Sequence, residues 1–382
     1  MKCHLLAIEW VICATATVGA AAPTEAVPVG AIQSQTVVYE DAHTDPYDRN
    51  NLYGFNHAPS VTALGGDRVL AAWFSGPFEG SVHQVILGSV SEDGGKSWGP
   101  ARVLNDAPRV SDFDPGFINA GDKTLLFFSN GRWASLPSPG PSKGDRRQVG
   151  VDSFFMLLTR SFDQGRTWSE AREIGAGPGW NCRSNGIKLK NGTLLIPTHH
   201  LEAPHISSVL LSTDNGSTWT RGPDIKTPGN VGSAESSVAE LPDGTLVMVL
   251  RTTDGNLWLV RSNDQGRTWL PPEKQDLPAA ESSANLFCTS SGKLVLTHNP
   301  TKPPLRTELT TRVSDDGGRT WSEPLTISEV DPTNSELLWS RQVCYPSVCE
   351  LSDGMLLVVW ARIALGAENQ SGAIDSARIR LN

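Results

Sequence analysis

One eight-residue pattern limits the folds open to this chain more than any other feature: Ser-x-Asp-x-Gly-x-Thr/Ser-Trp, present five times. The copies are SEDGGKSW from Ser91, SFDQGRTW from Ser161, STDNGSTW from Ser212, SNDQGRTW from Ser262 and SDDGGRTW from Ser314. Their starts lie 70, 51, 50 and 52 residues apart, a near-constant period that marks a repeat architecture. A second repeat runs between them, a glycine turn entering an apolar strand: GGDRVLAAW, AGDKTLLFF, KNGTLLIP, PDGTLVMVL, SSGKLVLT and SDGMLLVVW. Another short strand precedes these turns, as in SVTAL, SSVAEL and PSVCEL. A third, such as VILGSVS, FFMLLTRS or LWLVRS, feeds the aspartate pattern. Four antiparallel strands in about 50 residues form one propeller blade. Six glycine-turn units therefore predict an all-β, six-bladed β-propeller.

The last unit lacks an aspartate pattern. Its third strand is expected in ARIRL near the C-terminus and its fourth in TVVYEDA from Thr36, so that the chain ends close the ring. The long first interval is accounted for by a Pro/Gly/Ser/Arg loop from Gly131 to Gly150. Arg146 and Arg147 in that loop read as surface residues, with contact to a ligand over the mouth as the alternative. The repeated aspartates read as scaffold: a short carboxylate accepts backbone N–H bonds within its own turn, glycine supplies the positive φ, and Trp packs on the sheet.

Composition narrows the remaining classes. With 36 Gly and 26 Pro in 382 residues the chain is too turn-rich to be helical. A net charge of -9 argues against nucleic acid or an anionic membrane as a partner, so an anionic ligand needs a local basic site. The opening segment, MKCHLLAIEWVICATATVGAAAPTEA, has Lys2, an apolar stretch interrupted by Glu9, and a run of small residues. It reads as a cleaved signal peptide over residues 1–22, leaving 23–382 as a single propeller domain that is secreted or periplasmic. No later apolar run reaches the ~20 residues of a membrane span. The mature chain keeps Cys182, Cys288, Cys344 and Cys349, which allow three disulfide connectivities or none. No CxxC or HxxxH spacing suggests a metal site, and no cofactor is expected. Asn191, Asn215 and Asn369 begin N-x-Ser/Thr sequons.

In each blade the glycine turn and the aspartate turn occupy one face of the ring. Function is expected on the other face, at the starts of first strands and the links between second and third strands. Collected there are His57, Glu235 and Tyr345 at strand starts, with Glu79, His83, His199, His200, Arg251, Arg306 and Arg362 on the links. Arg132 and Arg183 fall at the same level. The hairpin around Asp243-Gly244 brings Glu235 opposite Arg251, where the arginine keeps the carboxylate ionised.

With these residues assembled, the chain resembles the sialidase (neuraminidase) superfamily, in its BNR/Asp-box repeat branch, over nearly all of the mature sequence. The segments that carry the resemblance are AESSVAELPDGTLVMVLR, PLRTELTTRVSDDGGRTW and CYPSVCELSDGMLLVVW. The resemblance implies Tyr345 as nucleophile, Glu235 as its activating base, and Arg251 and Arg306 as two of three arginines that clamp a substrate carboxylate. His83, Arg183, His199 and Arg362 are further candidates for substrate binding. A neutral phenol suits a sugar with a carboxylate on its anomeric carbon, because an anionic nucleophile would be repelled. Two departures stand out. His57 in HAPSV occupies the place of the first arginine, and no aspartate lies between Asp67 and Asp93 where the acid/base residue is expected. Glu79 and His83 are the nearest substitutes, with Glu79 as general acid and His57 as an alternative acid or base.

The expected function is that of an exo-acting glycoside hydrolase that removes a terminal acidic sugar from a glycan or glycoconjugate. The alternatives are a propeller glycosidase or polysaccharide lyase acting on a uronic acid or rhamnose-containing glycan, and a non-catalytic glycan-binding propeller.

Overall fold

The computed structural model describes residues 29–45, 48, 50–108, 110–132, 154–365 and 370–382. The signal segment, Arg146, Arg147 and the Asn369 sequon lie outside these residues. The described strands form six antiparallel sheets, sequential in order except the last, where the first strand of the chain joins the edge. Their innermost strands are Phe55–Gly65, Val110–Asn119, the pair Trp180–Asn181 and Ile187–Lys188, Ser233–Glu240, Asn285–Cys288 and Arg341–Glu350. Each pairs with the strand that follows its glycine turn: Arg68–Gly76, Thr124–Arg132, Leu194–His200, Leu246–Thr252, Leu294–His298 and Leu356–Leu365. These second strands are buried on both sides. Val69 to Phe74 and Leu125 to Phe128, for example, are at most 1% exposed. Such continuous apolar runs, rather than alternating ones, fit a strand sandwiched between neighbouring blades.

Blade six closes the ring. Its outer strand, Gly30–Tyr39, pairs with Gln370–Leu381 in a register that sets Thr36 against Ser376. Both strands are longer than the TVVYEDA and ARIRL segments that flag them in the sequence. They extend through Gln33 and Ser34 on one side and through Ser371 and Ser376 on the other, polar positions that carry no apolar signal.

The aspartate turns behave as scaffold. Asp214 accepts from Ser212 Oγ at 2.7 Å, Thr218 N at 2.9 Å and Thr218 Oγ1 at 2.6 Å, while Gly216, at φ +83°, donates its N–H to Ser212 Oγ at 2.8 Å. The same bonds recur at Asp93, Asp163, Asp264 and Asp316. The turns also join blades. Arg160 Nη2 reaches Gly216 O at 2.7 Å and Arg261 Nη1 reaches Gly317 O at 2.8 Å. Trp98 Nε1 donates to Ser376 Oγ at 3.2 Å across the blade-one to blade-six seam.

Two features lie outside the sequence pattern. Blade three's inner strand is broken between Asn181 and Ile187, and Asn185 in the gap bonds to the inner strands of blades two and one. Its Oδ1 accepts from Phe117 N at 2.9 Å and its Nδ2 donates to Val61 O at 2.8 Å. A short helix, Ser335–Ser340, capped by the Asn334 side chain, precedes the last inner strand.

Candidate active site

Four of the six inner strands carry a β-bulge at the same level of the ring. The register slips between His57 and Ser60, Phe113 and Gly116, Ala234 and Ser237, and Cys344 and Ser347. Each bulge holds a non-glycine residue at positive φ: Ala58 at 52°, Asp114 at 52°, Glu235 at 45° and Tyr345 at 59°. A bulge re-aims the side chain it carries, and a left-handed conformation costs an L-residue roughly 1–2 kcal/mol. Four such positions at one level mark a place where side-chain direction matters more than local stability. Asp114, Glu235 and Tyr345 all line one cavity of about 510 Å³, at the end of the ring away from the glycine and aspartate turns.

At its base three groups share a hydrogen-bond set. Tyr345 Oη donates to Glu235 Oε1 at 3.1 Å. Arg251, which pairs with Ala234 across the bulge, donates from one nitrogen, Nη1, to Tyr345 Oη at 2.9 Å and to Glu235 Oε2 at 2.5 Å. The ion pair is mostly buried, with side chains 20% and 13% exposed, so solvent screens it far less than a surface bridge. Burial disfavours the Glu235 charge, but the Arg251 guanidinium outweighs it and holds the carboxyl well below its usual range. Burial pushes the Tyr345 phenol up, with Arg251 opposing, so the hydroxyl is un-ionised at neutral pH. The pair is thus a protonated phenol bonded to an ionised carboxylate, the arrangement of a nucleophile with its base.

The ring of Tyr345 is packed on several sides. The His57 ring centroid lies 4.3 Å away and the Arg306 guanidinium carbon 5.3 Å away. His57 is buried, its Nε2 is 3.8 Å from Cys344 Sγ, and burial followed by Arg306 and Arg183 keeps it neutral. His199, also buried, is lowered to about 4 and is neutral too.

Residues 67–358 match the BNR repeat-like domain family. The chain belongs to this sialidase-like BNR repeat family. A sialidase of Bacteroides fragilis is 28% identical over 61% of this chain and 47% of its own length. A sialidase of Micromonospora viridifaciens is 24% identical over 81% of this chain and 52% of its own. The chain thus spans about half the length of the curated relatives it matches. The NanB sialidase of Streptococcus pneumoniae shares the fold at a TM-score of 0.69, with 14% identity over 91% of this chain and 71% of that one.

In this BNR-repeat protein His57, Glu79, His199, Glu235, Arg251, Arg306 and Tyr345 all line this cavity. Three sequence expectations require correction. His83 lies on an exposed turn outside that lining, because the chain turns at Ser81, whose Oγ accepts from His83 N at 3.1 Å. Arg362 shares the level of the cavity but points away, donating from Nε to Asp375 Oδ2 at 2.8 Å and pairing with Glu40 at 3.5 Å. Arg183 is 1% exposed and packs behind Tyr345 rather than on the cavity wall, so it is not placed to touch a substrate. Arg132 likewise stacks on Phe155 and pairs with Glu173 at 3.0 Å.

The structure adds Asp114, His205 and Glu281 to the lining. Asp114 had a visible signal. In DFDPGFIN it stands before Pro115 as Ala58 stands before Pro59 and Tyr345 before Pro346. Among the described residues no cluster of histidine, cysteine or carboxylate groups is arranged to hold a metal ion. All four described cysteines are free thiols.

Proposed function

We propose that this protein is an exo-acting glycoside hydrolase of the sialidase type, releasing a terminal acidic sugar such as sialic acid from a glycan or glycoconjugate. The observation that carries the reading is the Tyr345–Glu235 hydrogen bond of 3.1 Å, bridged by Arg251, at the base of a cavity with room for a terminal sugar. Tyr345 Oη attacks the anomeric carbon as the bond to the leaving oxygen breaks. The phenolic proton passes to Glu235, and Glu79 gives a proton to the leaving oxygen. Water deprotonated by Glu79 then attacks the same carbon, the bond to Tyr345 breaks, and Glu235 returns the proton to the phenol. Two inversions give net retention. Arg251 and Arg306 offer planar forks to the sugar carboxylate. A neutral His57 in the third position weakens that clamp by about 2 kcal/mol.

The neutral imidazole also favours a second reading, cleavage of a uronic acid-containing glycan with His57 as acid or base. The two are separated by turnover. The sialidase reading expects release of dye from a fluorogenic sialoside, with kcat lowered by at least about 10³-fold in Tyr345→Phe and by about 10²–10⁴-fold in Glu235→Gln. No turnover of any sialoside, together with cleavage of a uronate polysaccharide, would overturn it in favour of the second.

A further inference from the structure

Arg183 lies in the break of blade three's inner strand, among the largest fully buried side chains in the molecule. Its Nε has no hydrogen-bond partner, and it forms no ion pair with any described residue. A buried guanidinium without a carboxylate destabilises a fold, so packing does not account for it. Its charge also acts on Glu235, but its hydrogen bond and its ring contact both fall on Tyr345. Its guanidinium carbon lies 4.8 Å from the Tyr345 ring centroid, and its Nη2 donates to the Tyr345 carbonyl at 3.3 Å.

From these contacts we infer that Arg183 is the positioning residue of the tyrosine nucleophile, holding the Tyr345 bulge through its carbonyl and stabilising charge on the phenol from the protein interior. The inference rests on Tyr345 being the nucleophile. The two contacts do different things. The bond to the carbonyl fixes a backbone conformation that a non-glycine residue rarely adopts, and so fixes where Oη points. The cation beside the ring is attracted to its π-electrons, and more strongly as the phenol gains negative charge during attack. Arg183 also compensates for a charge missing from the cavity. Where the family resemblance leads one to expect an arginine facing the substrate, His57 is neutral. The positive charge is supplied from behind the tyrosine and acts through it, not on the sugar.

The test needs no substrate. Tyr345 replaced by a fluorinated tyrosine of lower intrinsic pKa is titrated by ¹⁹F NMR in the otherwise wild-type protein and in Arg183→Gln and Arg183→Lys backgrounds. Loss of the charge in Arg183→Gln is expected to raise the fluorophenol pKa by about one unit or more. An unchanged titration in a folded variant overturns the inference. Lysine keeps a charge but has no planar fork. With natural tyrosine, Arg183→Lys is therefore expected to lower kcat about tenfold while KM stays within about twofold. A wild-type kcat, or a defect confined to KM, overturns it as well. That arm remains available if Arg183→Gln does not fold, and the fluorophenol titration can also be run in Arg183→Lys. If no glycoside is turned over, the titration still reports the coupling, so failure of the proposed reaction and failure of this inference give different results.

Discussion

At the scale of single residues, the site depends on charges that do not share one fate on protonation. Glu235 stays ionised because Arg251 offsets its burial, while Tyr345 and His57 stay neutral because burial dominates. The assignment of Glu79 as acid carries its own prediction. Glu79→Gln is expected to lower kcat/KM for a natural sugar alcohol leaving group by about 10²–10⁴-fold, yet to leave kcat/KM for a nitrophenol, which needs no protonation to depart, nearly unchanged. Steady-state rates on the two leaving groups check this, and an equal loss on both removes Glu79 from the role. The sequence located most of these side chains by level and chemistry. It did not show direction. Arg362 and Arg183 stand at the right height but point to Asp375 and to the back of Tyr345, and neighbouring residues on one strand face opposite ways.

At the scale of elements, the glycine turns and aspartate turns were legible because each has a fixed residue at a fixed offset. The bulges were harder to read, since a following proline flags Ala58, Asp114 and Tyr345 without fixing a positive φ, and nothing flags Glu235. The helix Ser335–Ser340 was not legible, being a single capped turn and a half with no periodicity to read. The glycines of the aspartate turns have a second task beyond backbone freedom. Gly95, at φ +81°, packs so closely on blade six that a Cβ there would sit 2.6 Å from Leu357 Cδ1. Gly95→Ala is therefore expected to destabilise the protein by about 1–3 kcal/mol through overpacking, added to the conformational cost. Thermal unfolding checks this. The double variant Gly95→Ala with Leu357→Ala, which relieves the clash, is expected to lose less than the sum of the two single losses.

At the scale of the whole molecule, burial of ionisable groups sets the response to pH. His57, His199 and His298 are buried and neutral. The folded value of His199 falls to about 4 and that of His298 to about 3, in each case from 6.5 and chiefly through burial. Below pH 6.5 the unfolded chain takes up protons that the folded chain refuses, so stability falls as pH drops from 6.5 toward 4. Asp112 opposes this, because burial raises it from 3.8 to about 7, and its contribution is lost as pH rises through that range. Calorimetry between pH 4.5 and 6.5 is expected to show Tm rising with pH. The slope should shrink in His298→Leu by about one proton, roughly 1.4 kcal/mol per pH unit, and steepen in Asp112→Asn. A flat profile would mean that the imidazoles titrate in the folded state.

The seam between Gly30–Tyr39 and Gln370–Leu381 also imposes a timetable. The strand Gly30–Tyr39 leaves the ribosome before the other five blades, yet its one sheet partner among the described strands follows all of them. Five blades can assemble while it waits. Until Gln370–Leu381 emerges the nascent propeller is thus an open arc with two unsatisfied edges, and the arrival of that strand turns the arc into a ring.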